Sequence, residues 1–126
     1  MTPEGLIAPS QATIIVTMQT IHTDHQIAQL KSEAAVLILF GGAHCDVCQA
    51  IKPQVERMMG QRFPDITLAY VDCEQSPAIC AQHQVFSLPA MKLYLGGPLC
   101  VEVARSFSLQ EFMSHIDRPF HLWKAA

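Results

Sequence analysis

Within FGGAHCDVCQAIKPQVERMM, residues 40–59, Cys45 and Cys48 stand three apart, directly after an apolar run and directly before a helical pattern. Cysteines so placed serve a dithiol that cycles through a disulfide, form part of a metal site, or act as small core residues. The redox reading requires an ionised first thiol, because the thiolate is the nucleophile and a free cysteine of pKa about 8.5 is mostly protonated at neutral pH. A helix N-terminus supplies what is needed: unpaired backbone N–H groups and the positive dipole end point at the sulfur of Cys45. Such settings lower cysteine pKa values to roughly 3.5–7.5. The spacing of three keeps Cys48 one helical turn away, within reach of a mixed disulfide on Cys45. Protonated His44 would stabilise the Cys45 thiolate, whereas Asp46 opposes it as a neighbouring anion while suiting the first helical turn.

The metal reading starts from His44, Cys45 and Cys48, three soft ligands within five residues. Zinc needs a fourth ligand and the chain has no second C-x-x-C, so no closed metal site is expected within one chain. An intersubunit site or copper(I) capture stays open on these residues. Cys73 and Cys80 read as small buried hydrophobes, and a second redox pair between them requires a Cα separation of about 4.4–6.8 Å. Cys100 lies in an alternating stretch that does not settle which face it uses.

The surrounding elements must hold this pair in place. AVLILF, residues 35–40, is a continuous apolar run ending at Gly41–Gly42, the mark of a strand buried on both faces. Beyond the cysteines, Ile51, Val55, Met58 and Met59 fall at helical spacing, with Pro53 inside the pattern. ITLAYVDC (66–73) reads as a strand, and SPAICAQHQV (76–85) as a short helix with Pro77 in its first turn. AMKLYL (90–95), the Gly96–Gly97 turn and LCVEVAR (99–105) form an antiparallel hairpin. Thr23 with Gln26, or Asp24 alone, opens an earlier helix, and Ser108 with Glu111 opens a last one through Ile116, ended by Asp117–Arg118–Pro119. Residues 1–17 read as an N-terminal extension whose ATIIVT segment adds an edge strand or docks as a helix, 18–117 as the domain, and 118–126 as a C-terminal tail. A βαβ half followed by a ββα half gives an α/β fold with a mixed sheet of four to five strands and helices on both faces.

The 126 residues, half of them hydrophobic, suffice for one packed domain, and a net charge of −3 with dispersed basic residues gives no reason to expect a nucleic-acid partner. No apolar run approaches the ~20 residues of a membrane-spanning helix. The N-terminus is unlike a secretory signal, and five cysteines are an odd number for a stapled secreted scaffold, so the expected location is cytoplasmic.

The element order, the C-x-x-C at a strand–helix junction, Pro53 five residues after Cys48, and SLPAM at 87–91 together resemble the thioredoxin family over residues 18 to 116. The resemblance implies a nucleophilic Cys45, a resolving Cys48, a helix-kinking Pro53 and a cis-proline at Pro89. It further implies a shallow peptide groove bordered by Gly42, His44, Leu88 and Pro89, a protein or peptide disulfide as substrate, and a thioredoxin-reductase-type electron donor, with no cofactor. Several positions depart from the family pattern: His44 replaces a tryptophan, Asp46–Val47 a Gly-Pro, Leu39 a buried aspartate, Tyr70 its lysine neighbour and Ala90 a threonine. Without a carboxylate at Leu39 to take the Cys48 proton, the resolving step is expected to be slower than in thioredoxin itself. The leading expectation is a dithiol–disulfide oxidoreductase. The alternative is a thioredoxin-fold adaptor or assembly chaperone with little turnover; the terminal residues Phe120, Leu122 and Trp123 would either serve it as a contact surface or simply pack down on the domain.

Overall fold

The structure, a computed structural model, describes residues 16–126. Most of the expected N-terminal extension, including residues 12–15 of ATIIVT, lies outside the described residues. The elements run β1 (Gln19–Ile21), α1 (Asp24–Glu33), β2 (Ala35–Gly41), α2 (Asp46–Arg62), β3 (Thr67–Asp72), α3 (Pro77–Gln82), β4 (Ala90–Leu95), β5 (Leu99–Ala104) and α4 (Leu109–Ala125). They build one five-stranded sheet in the order β1-β3-β2-β4-β5. β1, β3 and β2 pair in parallel, while β4 and β5 add antiparallel, giving the mixed α/β sheet expected from the sequence.

The central strand β2 is buried along its whole length because helices cover both of its faces. Its residues alternate between two cores, as the two-residue period of a strand requires. Leu37 and Leu39 join Leu68, Met91 and Leu93 under Val55 and Met59 of α2 and Phe112, Met113 and Ile116 of α4. Val36, Ile38 and Phe40 face the other way, toward Ile27 of α1 and Ile79 and Cys80 of α3. Lys92 is the one buried charged residue among those described; its Nζ donates to His83 O at 2.7 Å and lies 3.4 Å from a Glu102 carboxylate oxygen. Thr23 caps α1 through a reciprocal bond pair with Gln26, and the Ser108 hydroxyl accepts the Glu111 amide at the start of α4.

The last helix corrects the sequence expectation. It does not stop before Pro119 but continues to Ala125, so the residues read as a tail are helical. A proline inside a helix costs about 3 kcal/mol, chiefly through a lost hydrogen bond and a clash one turn back. Burial offsets this cost, because continuing the helix places Phe120 in the core, edge-on to Phe63 with ring centroids 5.7 Å apart. It also lays Trp123 across Gly96, where an added Cβ would meet the indole Nε1 at 2.9 Å. Tertiary packing overrides the local stop signal.

Phe112 touches no solvent and joins α4 to the sheet. Phe112→Ala is expected to lower stability by about 3–5 kcal/mol, read from urea unfolding followed by far-UV circular dichroism.

Candidate active site

The cysteine pair sits where β2 leaves the core. Gly41 and Gly42 make the exit possible, because an added Cβ on Gly41 would come within 2.9 Å of both Cys48 Cβ and the Tyr70 hydroxyl. On Gly42 it would meet a Glu74 carboxylate oxygen at 2.7 Å. The chain then turns, with Cys45 N donating to Gly42 O at 3.1 Å, and α2 begins. Cys45 is the N-cap residue of α2, and its Sγ accepts the Cys48 amide at 3.2 Å. The two cysteines form a disulfide with Cα atoms 5.2 Å apart. Cys45 is half-exposed and Cys48 fully buried, so only the first is reachable from solvent.

Behind Cys48 the polar groups differ from what a carboxylate would offer. Leu39 is fully buried and pairs in register with Tyr70. The Tyr70 hydroxyl accepts from Gln49 Nε2 at 3.3 Å, and the same amide donates to Gly42 O at 3.0 Å. Burial pushes the Tyr70 phenol above its ordinary pKa, which keeps it neutral.

Glu74 is the site residue that sequence reasoning missed. It follows β3, thirty residues from His44, and its two carboxylate oxygens accept from the His44 backbone N–H at 2.8 Å and face the His44 ring Nδ1 at 2.6 Å. The Asp72 carboxylate in turn accepts the Glu74 amide at 2.8 Å. The hydrogen bond and charge of Glu74 hold the His44 pKa above its ordinary value of 6.5. The same bond to His44, helped by the backbone one, holds Glu74 below its ordinary value of 4.5. Nothing local in the sequence marks Glu74, since the pairing exists only once β3 lies beside β2.

The segment carrying Glu74 is tied down on both sides. Cys73 N donates to Gly41 O at 2.8 Å. Cys73 and Cys80 form a disulfide with Cα atoms 5.7 Å apart, so they are bonded to each other and not merely small core residues. Cys100 is free and exposed. Among the described residues no three of His, Cys, Asp and Glu gather as a metal-binding group.

The Leu88–Pro89 peptide is cis, and Pro89 O accepts the Arg105 amide at 2.8 Å. A cleft of about 300 Å³ beside the cysteine pair is lined by Val47, Ile51, Pro89, Arg105, Ser106 and Phe107. Of the residues named from sequence, Pro89 lines this cleft. His44 points into solvent with its side chain 90 % exposed, Gly42 is buried beneath Glu74, and Leu88 packs against the α1/α3 core.

The family model described as Thioredoxin matches residues 14–118. The chain belongs to the thioredoxin family. It is 33% identical over 86 residues to the thioredoxin of Mycobacterium tuberculosis, covering 68% of this chain and 71% of that one. It is 28% identical over 82 residues to a bifunctional thioredoxin reductase/thioredoxin of Mycobacterium leprae, covering 65% of this chain and 18% of that protein. The solved structure of a mutant thioredoxin from Halobacterium salinarum superimposes with a TM-score of 0.73 at 20% identity, covering 81% of this chain and 89% of that one, a likeness of fold. Family membership together with the Cys45–Cys48 pair makes the chain a thiol–disulfide oxidoreductase.

The raised His44 pKa contributes stability that is complete below 6.5 and is lost as pH rises through the raised value. The lowered Glu74 pKa contributes stability that is complete above 4.5 and is lost as pH falls through the lowered value. The pair therefore acts fully between these two limits. In Glu74→Gln the His44 ring, followed by NMR, should titrate at lower pH than in the native protein. An unmoved titration curve would show that the clamp does not form.

Proposed function

We propose that the protein reduces protein or peptide disulfides, with Cys45 as nucleophile and Cys48 as resolving thiol. The observation that carries this reading is the asymmetry of the pair: one sulfur is half-exposed at a helix N-cap and the other is buried behind it. In the dithiol state the Cys45 thiolate would be stabilised by the first amides of α2. The charge of His44 is largely offset by Glu74 beside it, so the helix amides carry most of that stabilisation.

The thiolate of Cys45 attacks one sulfur of the substrate disulfide. A mixed disulfide forms, and the other substrate sulfur leaves as a thiolate and takes a proton from water. Cys48 then loses its proton and attacks the Cys45 sulfur. The Cys45–Cys48 disulfide closes and the second substrate thiolate departs. Two electrons have passed from the dithiol to the substrate. A reductant of the thioredoxin-reductase type restores the dithiol; the fused reductase/thioredoxin relative in Mycobacterium leprae supports that partner. Leu39 offers no carboxylate to receive the Cys48 proton, so this second step is slower than in a thioredoxin that has one there. The cis-proline loop at Leu88–Pro89 would pair with the backbone of the extended substrate.

The cytoplasm is the compartment we propose, because a reductive cycle needs the dithiol regenerated where thiols are kept reduced. No helix among the described residues is long and apolar enough to cross a membrane.

Trapping tests the assignment. Cys48→Ser should accumulate mixed disulfides on Cys45 when mixed with disulfide-containing protein, resolved by non-reducing electrophoresis and released by dithiothreitol. Cys45→Ser should accumulate none. Equal trapping by both variants, or by neither, would favour the adaptor reading over the catalytic one.

A further inference from the structure

Arg105 stands just beyond β5 with φ of +72°, a backbone region that glycine enters freely and other residues avoid. Its amide is held there by the bond to Pro89 O. A non-glycine residue kept in this region carries strain of order 1 kcal/mol or more, and such outliers gather where a side chain is needed for binding. Here the side chain is exposed, and among the described residues it makes no hydrogen bond and no ion pair. Among the described residues it is also the only charged one lining the cleft beside the cysteines, whose other walls are Val47, Ile51, Pro89, Ser106 and Phe107.

We propose that Arg105 is a specificity-determining residue that selects disulfide substrates carrying a carboxylate within two residues of the cysteine attacked by Cys45. The occupant is an extended acidic peptide segment: an apolar side chain rests on Val47, Ile51 and Phe107, and an Asp or Glu meets the guanidinium. Charge complementarity supports this choice over a basic or purely apolar segment, since a planar guanidinium pairs with a carboxylate through two parallel hydrogen bonds. The apolar walls partly exclude water from that pair, which strengthens it relative to an ion pair in open solvent. The inference rests on the oxidoreductase reading and adds its substrate class.

The test uses three cystine-bridged peptides differing only in the residue next to one cysteine, Asp, Asn or Lys, reduced by the full chain with dithiothreitol as the electron source. The native protein should show kcat/KM about tenfold higher for the Asp peptide than for the Asn peptide, the size of effect one charge-assisted bond supplies, and the preference should shrink with added salt. In Arg105→Gly the Asp-to-Asn ratio should fall to about one. The glycine relieves the positive φ, so an undiminished unfolding midpoint would show that the loss is not one of folding. Arg105→Glu should favour the Lys peptide. Glutathione disulfide separates a peptide side chain from a small carboxylate-bearing thiol: a ratio to the Asn peptide that drops in Arg105→Gly as far as the Asp peptide's does would overturn the choice of a peptide occupant. Equal turnover of all three peptides by the native protein, or an Asp preference that survives Arg105→Gly, would overturn the inference while leaving the oxidoreductase reading intact. Turnover of none of the peptides would remove both.

Discussion

Cys45 occupies the N-cap of α2, a position normally filled by an oxygen-bearing side chain, and its sulfur accepts the Cys48 amide in the place of that oxygen. This arrangement needs β2 to deliver the chain to the start of α2 at a fixed height and angle. The strand does so because both of its faces are buried, which leaves it no freedom to slide: a one-residue slip would exchange the residues facing α2 and α4 for those facing α1 and α3. Gly41 and Gly42 then bring the backbone against Cys48, Tyr70 and Glu74 more closely than any residue with a Cβ could. The Cys45 sulfur is thus positioned by the core, and the loop that carries it is held by contacts from the end of β3.

Those contacts differ from a simple scaffold. Glu74 grips both the backbone and the ring of His44, and it lies between Cys73, which bonds Gly41 O, and the rest of a short segment closed by the Cys73–Cys80 disulfide. The loop before Cys45 is therefore fastened to a second cross-linked loop, on the face of the sheet that α2 does not cover. The opposite flank is built from Pro89 and Arg105, joined by one backbone bond across β4 and β5. The site is a meeting of four stretches far apart in sequence, joined in pairs by hydrogen bonds: residues 41–48 with 73–74, and Pro89 with Arg105.

How much of this the sequence discloses depends on the range of the interaction. Periodicity and caps act over a few residues, so AVLILF, the Thr23–Gln26 box and the C-x-x-C junction are all legible from the chain alone. Pro119 shows where a local signal misleads: its cost is visible in the sequence, but the burial of Phe120 against Phe63 that outweighs it is not. The Glu74–His44 clamp and the Cys73–Cys80 bond depend on where β3 and α3 settle against the sheet, a long-range outcome. Arg105 is hidden for a different reason, because a positive φ in a non-glycine residue leaves no mark on the sequence.

The single tryptophan of the chain is Trp123, placed with Ala34, Ala35, Asp65 and Lys124 at the end of the sheet where β2 begins. The cysteines lie at the other end of β2, roughly 20 Å away along a seven-residue strand. Sulfur chemistry quenches indole emission only at short range, so the tryptophan emission of this protein is deaf to the oxidation state of the Cys45–Cys48 pair. What it reports instead is whether the final helix is seated on the sheet.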